Sequence, residues 1–253
     1  MSMNGFIDRL CFNRFRQLPH FRSPGILVLP VKQRVMVFAP HSDDEWIGCA
    51  GTLARLKQND CVIRVVIVTD GARGDPDQLV AGDVSNIRRN ESRAALGELE
   101  IDDISFLGYP DGDLAAHGNE LTAAVARVYD EFAPDWVFTT ALGEHHRDHI
   151  CTGYAVMRHW LAKGMRERLL AFEVYGAIRL DWLVDITEVM ELKRKGLRHY
   201  QIPLSYVDYE AACVTLARYR GIFVGSALEE NFAEGFMEIR RRDVCGDVIG
   251  ALM

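Results

Sequence analysis

Apolar runs and helical patterns alternate along most of the chain. Four short runs are almost continuously apolar, which is typical of strands covered on both faces of a parallel sheet. These predicted strands are Val35–Ala39, Val62–Thr69, Ile104–Leu107 and Trp136–Thr140. Segments with helical spacing follow them, and these predicted helices are Trp46–Leu56, Ile87–Leu99, Leu121–Phe132 and a fourth from after His149 to about Lys163. The alternation predicts an α/β fold, a Rossmann-like parallel sheet covered by helices on both faces.

The second half of the chain is less regular. Leu170–Val174 and Leu183–Ile186 are predicted strands, and helical patterns cover Thr187–Tyr200 and Tyr209–Gly221. The tail from Asn231 onward has no clear pattern. Because 253 residues is an ordinary length for one domain and no repeat or linker interrupts the chain, we predict a single domain over residues 34–253.

The first 33 residues differ in charge from the rest. They carry five basic residues and a single acid, Asp8, and their apolar residues from Phe6 to Phe15 recur at helical spacing. We predict that residues 1–33 form a basic N-terminal arm that packs on the domain or on a partner subunit of a homo-oligomer. The alternative is an amphipathic helix that makes a peripheral contact with a membrane surface.

Composition and charge exclude several classes of function. The net charge of -7 argues against a broad nucleic-acid-binding surface. No apolar run approaches the roughly 20 residues that span a bilayer, and the start lacks the apolar core of a secretory signal. The six cysteines are scattered without a CxxC pair, which indicates reduced thiols and a cytoplasmic location.

Acids and histidines cluster directly after two of the predicted strands. Pro40–Glu45 follows the strand that ends at Ala39, and Glu144–His149 follows the strand that ends at Thr140. Open parallel sheets bind ligands at the carboxyl ends of their strands, so the two clusters meet if both strands belong to one sheet. Either cluster alone could consist of helix-capping acids or solvated histidines. The two together favour a metal site.

The clusters contain a set of side chains suited to a catalytic metal ion. Zinc in such sites usually has three protein ligands and one open position for water. His41 and Asp44 are three residues apart across a turn and could face one ion, and His149 could supply the third ligand. The residues therefore predict a Zn²⁺ site, with Fe²⁺ as the alternative because His and carboxylate ligands accept both.

Three further residues of the clusters are predicted to be catalytic. Asp43 lies between two ligands in sequence, close to the expected water, and is the candidate general base. His146 could face the carbonyl group of the substrate, and Asp148 could orient the imidazole of His146. Together these residues could hydrolyse an amide through a tetrahedral intermediate.

The two clusters resemble the paired motifs of the PIG-L/LmbE-like zinc-dependent N-deacetylases, which typically read HPDDE and HxDH. The similarity spans about residues 34–240 and continues through four further segments: Thr69–Gly71, Arg88–Glu91, Leu107–Gly112 and Val184–Thr187. Ser42 and Arg147 depart from the pattern, because the family often has proline there, and both turns lack the stiffness that proline gives.

The resemblance implies a Rossmann-like fold and the same assignment of ligands, base and oxyanion-stabilising histidine. It also implies that Arg88 and Asp111 bind the substrate; the alternatives are a helix-surface arginine and a turn aspartate. The implied substrate is a small N-acetylated amino-sugar (GlcNAc-type) conjugate, such as a glycolipid or glycan precursor, from which acetyl is removed.

Two other functions remain as alternatives. The first is an amidase that acts on another amide, such as a thiol conjugate or a secondary metabolite. The second is a binding protein of the same fold without turnover. A dinucleotide-binding role is not supported, because the turn after the first strand lacks a GxGxxG pattern.

Overall fold

The computed structural model describes residues 23–225 and 230–240. Within them the strands are β1 (Gly25–Ile26), β2 (Arg34–Ala39), β3 (Val62–Thr69), β4 (Ile104–Tyr109), β5 (Trp136–Thr140), β6 (Arg168–Phe172), β7 (Trp182–Asp185) and β8 (Ala233–Ile239). The α-helices are α1 (Asp44–Gln58), α2 (Val84–Gly97), α3 (Gly118–Phe132), α4 (Arg147–Ala162), α5 (Met190–Leu197), α6 (Gln201–Leu204) and α7 (Tyr209–Gly221). Two short 3₁₀ helices cover Leu114–His117 and Thr187–Val189.

The strands form one sheet in the order β1-β7-β8-β6-β5-β2-β3-β4. All the pairings are parallel except those of β8, which runs antiparallel to β6 and β7. The predicted α/β fold is thus confirmed, with one correction: the sheet is mixed, because the tail supplies an antiparallel strand that has no clear signal in the sequence. Its residues from Ala233 to Phe236 are all buried, so the alternation of polar and apolar positions that marks a half-exposed strand is missing.

The sheet has a hydrophobic core on each face. Along β2, Val35 and Val37 belong to one core, while Met36 and Phe38 belong to the other, as the two-residue period of a strand requires. The first core is covered by α1, α2, α5 and α7, and the second is covered by α3 and α4. Complete burial of all four side chains explains why the sequence of β2 is continuously apolar.

The packing of α1 fixes the direction of the loop that precedes it. The ring of Trp46 is fully buried and donates a hydrogen bond from Nε1 to the carbonyl oxygen of Lys193 at 2.7 Å. A Cβ atom at Gly196 would collide with this ring, so glycine there permits the close approach of α5. The N-terminus of α1 is therefore anchored at the carboxyl edge of β2.

The order of the strands brings the two predicted clusters together. β2 lies between β3 and β5, and it pairs with β5 in parallel register, with Val35 opposite Trp136 and Val37 opposite Phe138. After β2 the chain continues to β3, which lies on one side of β2, and it later forms β5 on the other side of β2. The strand order therefore reverses at β2, which makes the carboxyl end of this strand a topological switch point. The loops after β2 and β5 therefore leave the sheet side by side.

The last part of the predicted N-terminal arm belongs to the sheet. Gly25 and Ile26 pair with Trp182 and Leu183 as its edge strand. The predicted amphipathic segment falls in residues 1–22, outside the described residues, so its packing and membrane contact remain predictions. No helix within residues 23–225 and 230–240 is long and apolar enough to cross a membrane. The four cysteines in this part of the chain, Cys49, Cys61, Cys151 and Cys213, are free thiols.

Candidate metal and active site

The loop after β2 turns on a strained residue. Asp43 has a φ angle of 120°, which is rare for a residue with a side chain, and its backbone N–H donates to Oε2 of Glu45 at 3.2 Å. Asp43 precedes α1 without capping it through its side chain. Its carboxylate is therefore not used for the helix-capping role that the sequence also allowed, and it stays available to the site.

The loop after β5 ends at the first residue of α4. His146 is the N-cap, and its Nδ1 accepts the backbone N–H of Asp148 at 3.2 Å. His149 lies in the first turn of α4 and is fully buried. Its side chain reaches across to the loop after β2, where it meets His41 and Asp44.

Three atoms from the two loops converge at one point. Nδ1 of His41 lies 3.2 Å from Oδ2 of Asp44, Nε2 of His149 lies 3.2 Å from the same oxygen, and the two nitrogens are 3.3 Å apart. A tetrahedral zinc ion with bonds of about 2.0–2.1 Å holds neighbouring ligand atoms roughly 3.3 Å apart. The second carboxylate oxygen of Asp44, Oδ1, is buried and has no hydrogen-bond partner among the described residues. The three side chains thus fit a divalent cation.

Two other groups of potential ligands lie nearby. His41, His146 and His149 form one, and His41, Asp111 and Asp148 form the other, each with ligand atoms within 4.8 Å of one another. The trio of His41, Asp44 and His149 is tighter. The Nδ1 atom of His146 is already occupied by a backbone N–H, and the acids of the second group face the far side of the His41 ring.

Each histidine of the candidate metal trio is backed by carboxylates. Nε2 of His41 lies 3.1 Å from Oδ1 of Asp111 and 3.2 Å from Oδ2 of Asp148, and Nδ1 of His149 lies 3.5 Å from Oε2 of Glu144. Burial alone would lower the pKa of His149, but the neighbouring carboxylates of Asp44 and Glu144 raise it to about 9. Carboxylates behind metal-binding histidines fix the ring orientation and make the ligating nitrogen more basic.

The position of Asp148 corrects one prediction from the sequence. Its carboxylate contacts Nε2 of His41 and accepts the backbone N–H groups of Gly112 and Leu114 at 2.7 and 3.2 Å, whereas only its backbone N–H reaches His146. The prediction that the carboxylate of Asp148 orients the imidazole of His146 was therefore wrong, because this carboxylate contacts the imidazole of His41 instead. His146 is the N-cap and Asp148 the second helical residue, and their side chains leave the helix in different directions.

Arg88 lies against Asp43. It is only 4% exposed, and its Nη2 forms an ion pair with Oδ2 of Asp43 at 3.1 Å and donates to the carbonyl oxygen of Ser42. Its Nη1 binds Oε2 of Glu91 at 3.0 Å. Burial raises the pKa of Asp43 to about 6, even though the positive charge of Arg88 acts in the opposite direction. The helix-surface alternative for Arg88 was wrong, and the residue both lines the site and positions Asp43.

A cavity of about 390 Å³, here called the site cavity, opens above these residues. Its walls include the predicted residues His41, Asp43, Arg88, Asp111 and His146, together with Arg73 of the loop that follows β3. Asp111 contacts the ring of His41 and accepts the backbone N–H of Arg73 at 3.1 Å, so it is more than a turn residue. The volume is in the range of small-molecule sites.

A segment around α6 lines the site cavity and is linked by hydrogen bonds to Asp43. The hydroxyl of Tyr200 donates to Oε1 of Glu45 at 2.6 Å, and Glu45 in turn accepts the N–H of Asp43. The backbone N–H of Ile202 donates to Oε1 of Glu91 at 2.9 Å, and Glu91 holds Arg88. Two chains of hydrogen bonds therefore run from Asp43 to the same short segment, and Glu45 holds the backbone of Asp43 in addition to starting a helix.

Sequence reasoning missed several residues of the site. Glu144 accepts the N–H groups of Val174 and Tyr175 at 2.7 and 2.9 Å, and Tyr175 stacks on His149 with ring centroids 5.2 Å apart. Tyr209 lines the same cavity, and its hydroxyl lies 3.1 Å from that of Tyr175. Glu144 was visible as the first residue of the second cluster; the two tyrosines gave no signal, because they come from segments remote in sequence.

Comparison with known proteins agrees with this architecture. Residues 36–160 match the model of the PIG-L family, described as GlcNAc-PI de-N-acetylase. A probable N-acetyl-alpha-D-glucosaminyl L-malate deacetylase 2 of Bacillus subtilis is 29% identical over 186 residues, which are 68% of this chain and 83% of that protein. Diacetylchitobiose deacetylase of Thermococcus kodakarensis is 27% identical over 223 residues, which are 80% of this chain and 82% of that protein.

One solved structure with the same fold belongs to a hydratase, whereas the relatives above are named as deacetylases. GalB of Pseudomonas putida, a 4-carboxy-2-hydroxymuconate hydratase, superposes with a TM-score of 0.71 at 22% identity, over 83% of this chain and 97% of that one. The fold alone therefore does not fix the reaction. The family match and the two sequence relatives are more specific: residues 36–160 match the PIG-L family, and both relatives are named as deacetylases.

Proposed function

We propose that the protein is a metal-dependent deacetylase that hydrolyses the N-acetyl amide of an N-acetylglucosamine-type conjugate, releasing acetate and a free amine. The observation that carries the proposal is the convergence of His41, Asp44 and His149 on one point, beside the carboxylate of Asp43. The activities named for the relatives, on a malate conjugate and on diacetylchitobiose, support a substrate of this class.

His41, Asp44 and His149 would hold the ion, and the distances between their ligand atoms are compatible with tetrahedral zinc. A zinc ion in such a site lowers the pKa of water to about 7 and polarises a carbonyl oxygen. The four free cysteines of the described residues are consistent with a reducing compartment, so we place the reaction in the cytoplasm.

Asp43 is the proposed general base. It takes a proton from the attacking water and passes it to the nitrogen of the departing amine, so that the amine leaves as a neutral group. Its burial raises its pKa to about 6, which keeps the carboxylate mostly ionised at neutral pH while making it a better proton acceptor. Arg88 and Glu45 hold the side chain and the backbone of Asp43, respectively, in the productive orientation.

His146 is the proposed donor to the developing oxyanion. Because its Nδ1 accepts the N–H of Asp148, the neutral ring carries its proton on Nε2. Burial, followed by the nearby charges of His41 and His149, lowers the pKa of His146, which favours this neutral form. A fixed donor of this kind stabilises the charge that appears only in the transition state.

The sugar would occupy the site cavity. Asp111 and Arg73 lie on its wall and offer the charged hydrogen-bonding groups that hydroxyl-rich ligands need. Arg88 lies deeper, against the base, and contributes to the same wall.

The proposal is tested by measuring acetate release from N-acetylglucosamine conjugates by zinc-loaded protein and its Asp43→Ala variant. We expect release by the wild type and its loss in the variant, with zinc content unchanged. A panel of other acyl amides, assayed for free amine, addresses the alternative amidase. Full activity of the variant, or zinc-loaded protein that cleaves none of these amides, would contradict the proposal.

A further inference from the structure

Two segments that are far apart in sequence line the site cavity together. Residues 70–83 connect β3 to α2 and are here called the β3–α2 loop, and residues 200–209 are here called the α6 segment. The loop contributes Pro76 to the lining, and the segment contributes Pro203 and Tyr206. The separation of the two segments therefore sets the width of this part of the cavity.

The hydroxyl of Tyr206 joins the two segments. It donates to Oδ1 of Asp75 at 2.5 Å and accepts the backbone N–H of Asp77 at 3.1 Å. The carboxylate of Asp75 also accepts the backbone N–H groups of Leu79 and Val80 at 2.9 and 3.0 Å. A single phenol group is thus bonded to the residue around which this part of the β3–α2 loop is folded.

Residues 75–82 have few other attachments. Within the part of the chain that the structure describes, every hydrogen bond from these residues to another segment ends on Tyr206. Most of the eight residues are exposed, and Leu79 is 59% exposed. Loops with few buried contacts open at a low cost in free energy. The bonds to Tyr206 are therefore what holds residues 75–82 beside the site cavity.

The α6 segment, in contrast, is firmly anchored. Its first residues are hydrogen-bonded to Glu45 and Glu91, both of which are buried. Glu45 binds the backbone of Asp43, and Glu91 connects to the carboxylate of Asp43 through Arg88. Tyr206 thus ties a weakly held loop to a segment that is fixed against the proposed base.

We propose that Tyr206 is a specificity-determining residue, whose bond to Asp75 fixes the width of the site cavity and restricts the substrate to compact amino-sugar conjugates. The reacting amide lies at Asp43 and the candidate metal trio, so the group attached to the sugar lies between the loop and the segment. The cavity volume of about 390 Å³ is near the lower end of the range of small-molecule sites, which suits a small attached group. This inference rests on the proposed function and adds a limit on substrate size.

Substrates of increasing size test the proposal. N-acetylglucosamine is linked through its anomeric carbon to methyl, to glucose or to cellotriose, so that each conjugate carries one acetyl amide and only the attached group differs. For the zinc-loaded wild type, we expect kcat/KM to be about 10-fold higher for the methyl glycoside than for the cellotriose conjugate. In Tyr206→Phe, which keeps the ring and removes both hydrogen bonds, this ratio should approach one.

The ratio separates a role in specificity from a merely structural one. An equal loss of kcat/KM for all three conjugates in Tyr206→Phe, with the ratio unchanged, would overturn the proposal. Tyr219→Phe is the matched control, because Tyr219 is a 63% exposed tyrosine of α7 that does not line the site cavity. It should keep the ratio of the wild type, and a similar change in both variants would also contradict the assignment.

Binding without turnover distinguishes this inference from the proposed reaction. The same conjugates without their acetyl group have no amide to cleave, so calorimetry can measure their binding to the zinc-loaded protein. We expect the wild type to bind the methyl glycoside of glucosamine about 10-fold more tightly than the cellotriose conjugate, and Tyr206→Phe to bind both equally. That result would support the size limit even if no amide were hydrolysed. Equal binding of both by the wild type, or binding of neither, would contradict it.

Discussion

Nη2 of Arg88 lies 3.1 Å from Oδ2 of Asp43, in a position where both side chains are almost completely buried. The guanidinium also holds Glu91 at 3.0 Å and the carbonyl oxygen of Ser42. A single arginine thus connects the proposed base, the strained turn that presents it and α2. We therefore regard Arg88 primarily as the residue that positions Asp43.

Replacement of Arg88 by lysine tests this role. Lysine keeps the positive charge but cannot make three directed contacts from one planar group, so Asp43 should lose its fixed orientation. We expect kcat to fall by about 10- to 100-fold, as is common when a partner of an active-site group is changed, with little change in KM. Steady-state kinetics on an N-acetylglucosamine conjugate separate the two parameters. A large rise in KM at unchanged kcat would instead support direct substrate binding.

The contact of Asp148 with His41 leads to a second prediction. Asp148→Asn keeps the shape of the side chain but removes the negative charge beside Nε2 of His41. We expect zinc affinity to fall by about 10- to 100-fold, measured by competition with a chelator. Unchanged zinc affinity together with a lower kcat would restore the role beside His146 that the sequence suggested.

The Tyr200→Phe variant tests the hydrogen bonds that connect Tyr200, through Glu45, to the backbone of Asp43. The change removes the hydroxyl that donates to Glu45 at 2.6 Å and leaves a buried carboxylate short of one donor. We expect the free energy of unfolding to fall by about 1–3 kcal/mol and kcat to fall as well. Tyr129→Phe is the matched control, because Tyr129 is equally buried but belongs to the other core. A similar loss of kcat in both variants would show that the effect is general.

The ion pair of Lys193 and Glu234 predicts a large effect on stability. Both side chains are buried, and Glu234 also accepts the N–H groups of Gly51 and Thr52 at 2.9 and 2.7 Å. Lys193→Met would leave this carboxylate uncompensated, so we expect the free energy of unfolding to fall by about 3–5 kcal/mol in urea denaturation. Lys193→Met combined with Glu234→Gln should be more stable than the single variant. If the single variant is as stable as the wild type, the pair contributes nothing.

Much of the fold was predictable because it depends on local pattern. Continuous apolar runs marked β2, β3 and β5, and the helical pattern of Tyr209–Gly221 matches α7 at both ends. β8 was missed because its pairing with β6 and β7 depends on contacts between distant segments. Its two glutamates, of which Glu234 is buried, also hide its apolar character.

The candidate site was predictable to a similar degree. The sequence brought His41, Asp44 and His149 to one edge, because they follow strands of one parallel sheet. It could not identify the partner of Asp148, since that choice depends on the directions in which side chains leave α4. The contacts of Tyr200 with Glu45 and of Tyr175 with His149 could not be predicted from the sequence either, because both tyrosines come from segments that reach the site only through the tertiary fold.

The central claim is that one divalent ion is held by His41, Asp44 and His149. The most direct measurement is a crystal structure of zinc-loaded protein with anomalous diffraction at the zinc edge. We predict one strong peak about 2.0–2.2 Å from Nδ1 of His41, a carboxylate oxygen of Asp44 and Nε2 of His149. A peak bound instead by Asp111 and Asp148, or no peak at the point where the three side chains meet, would contradict the account.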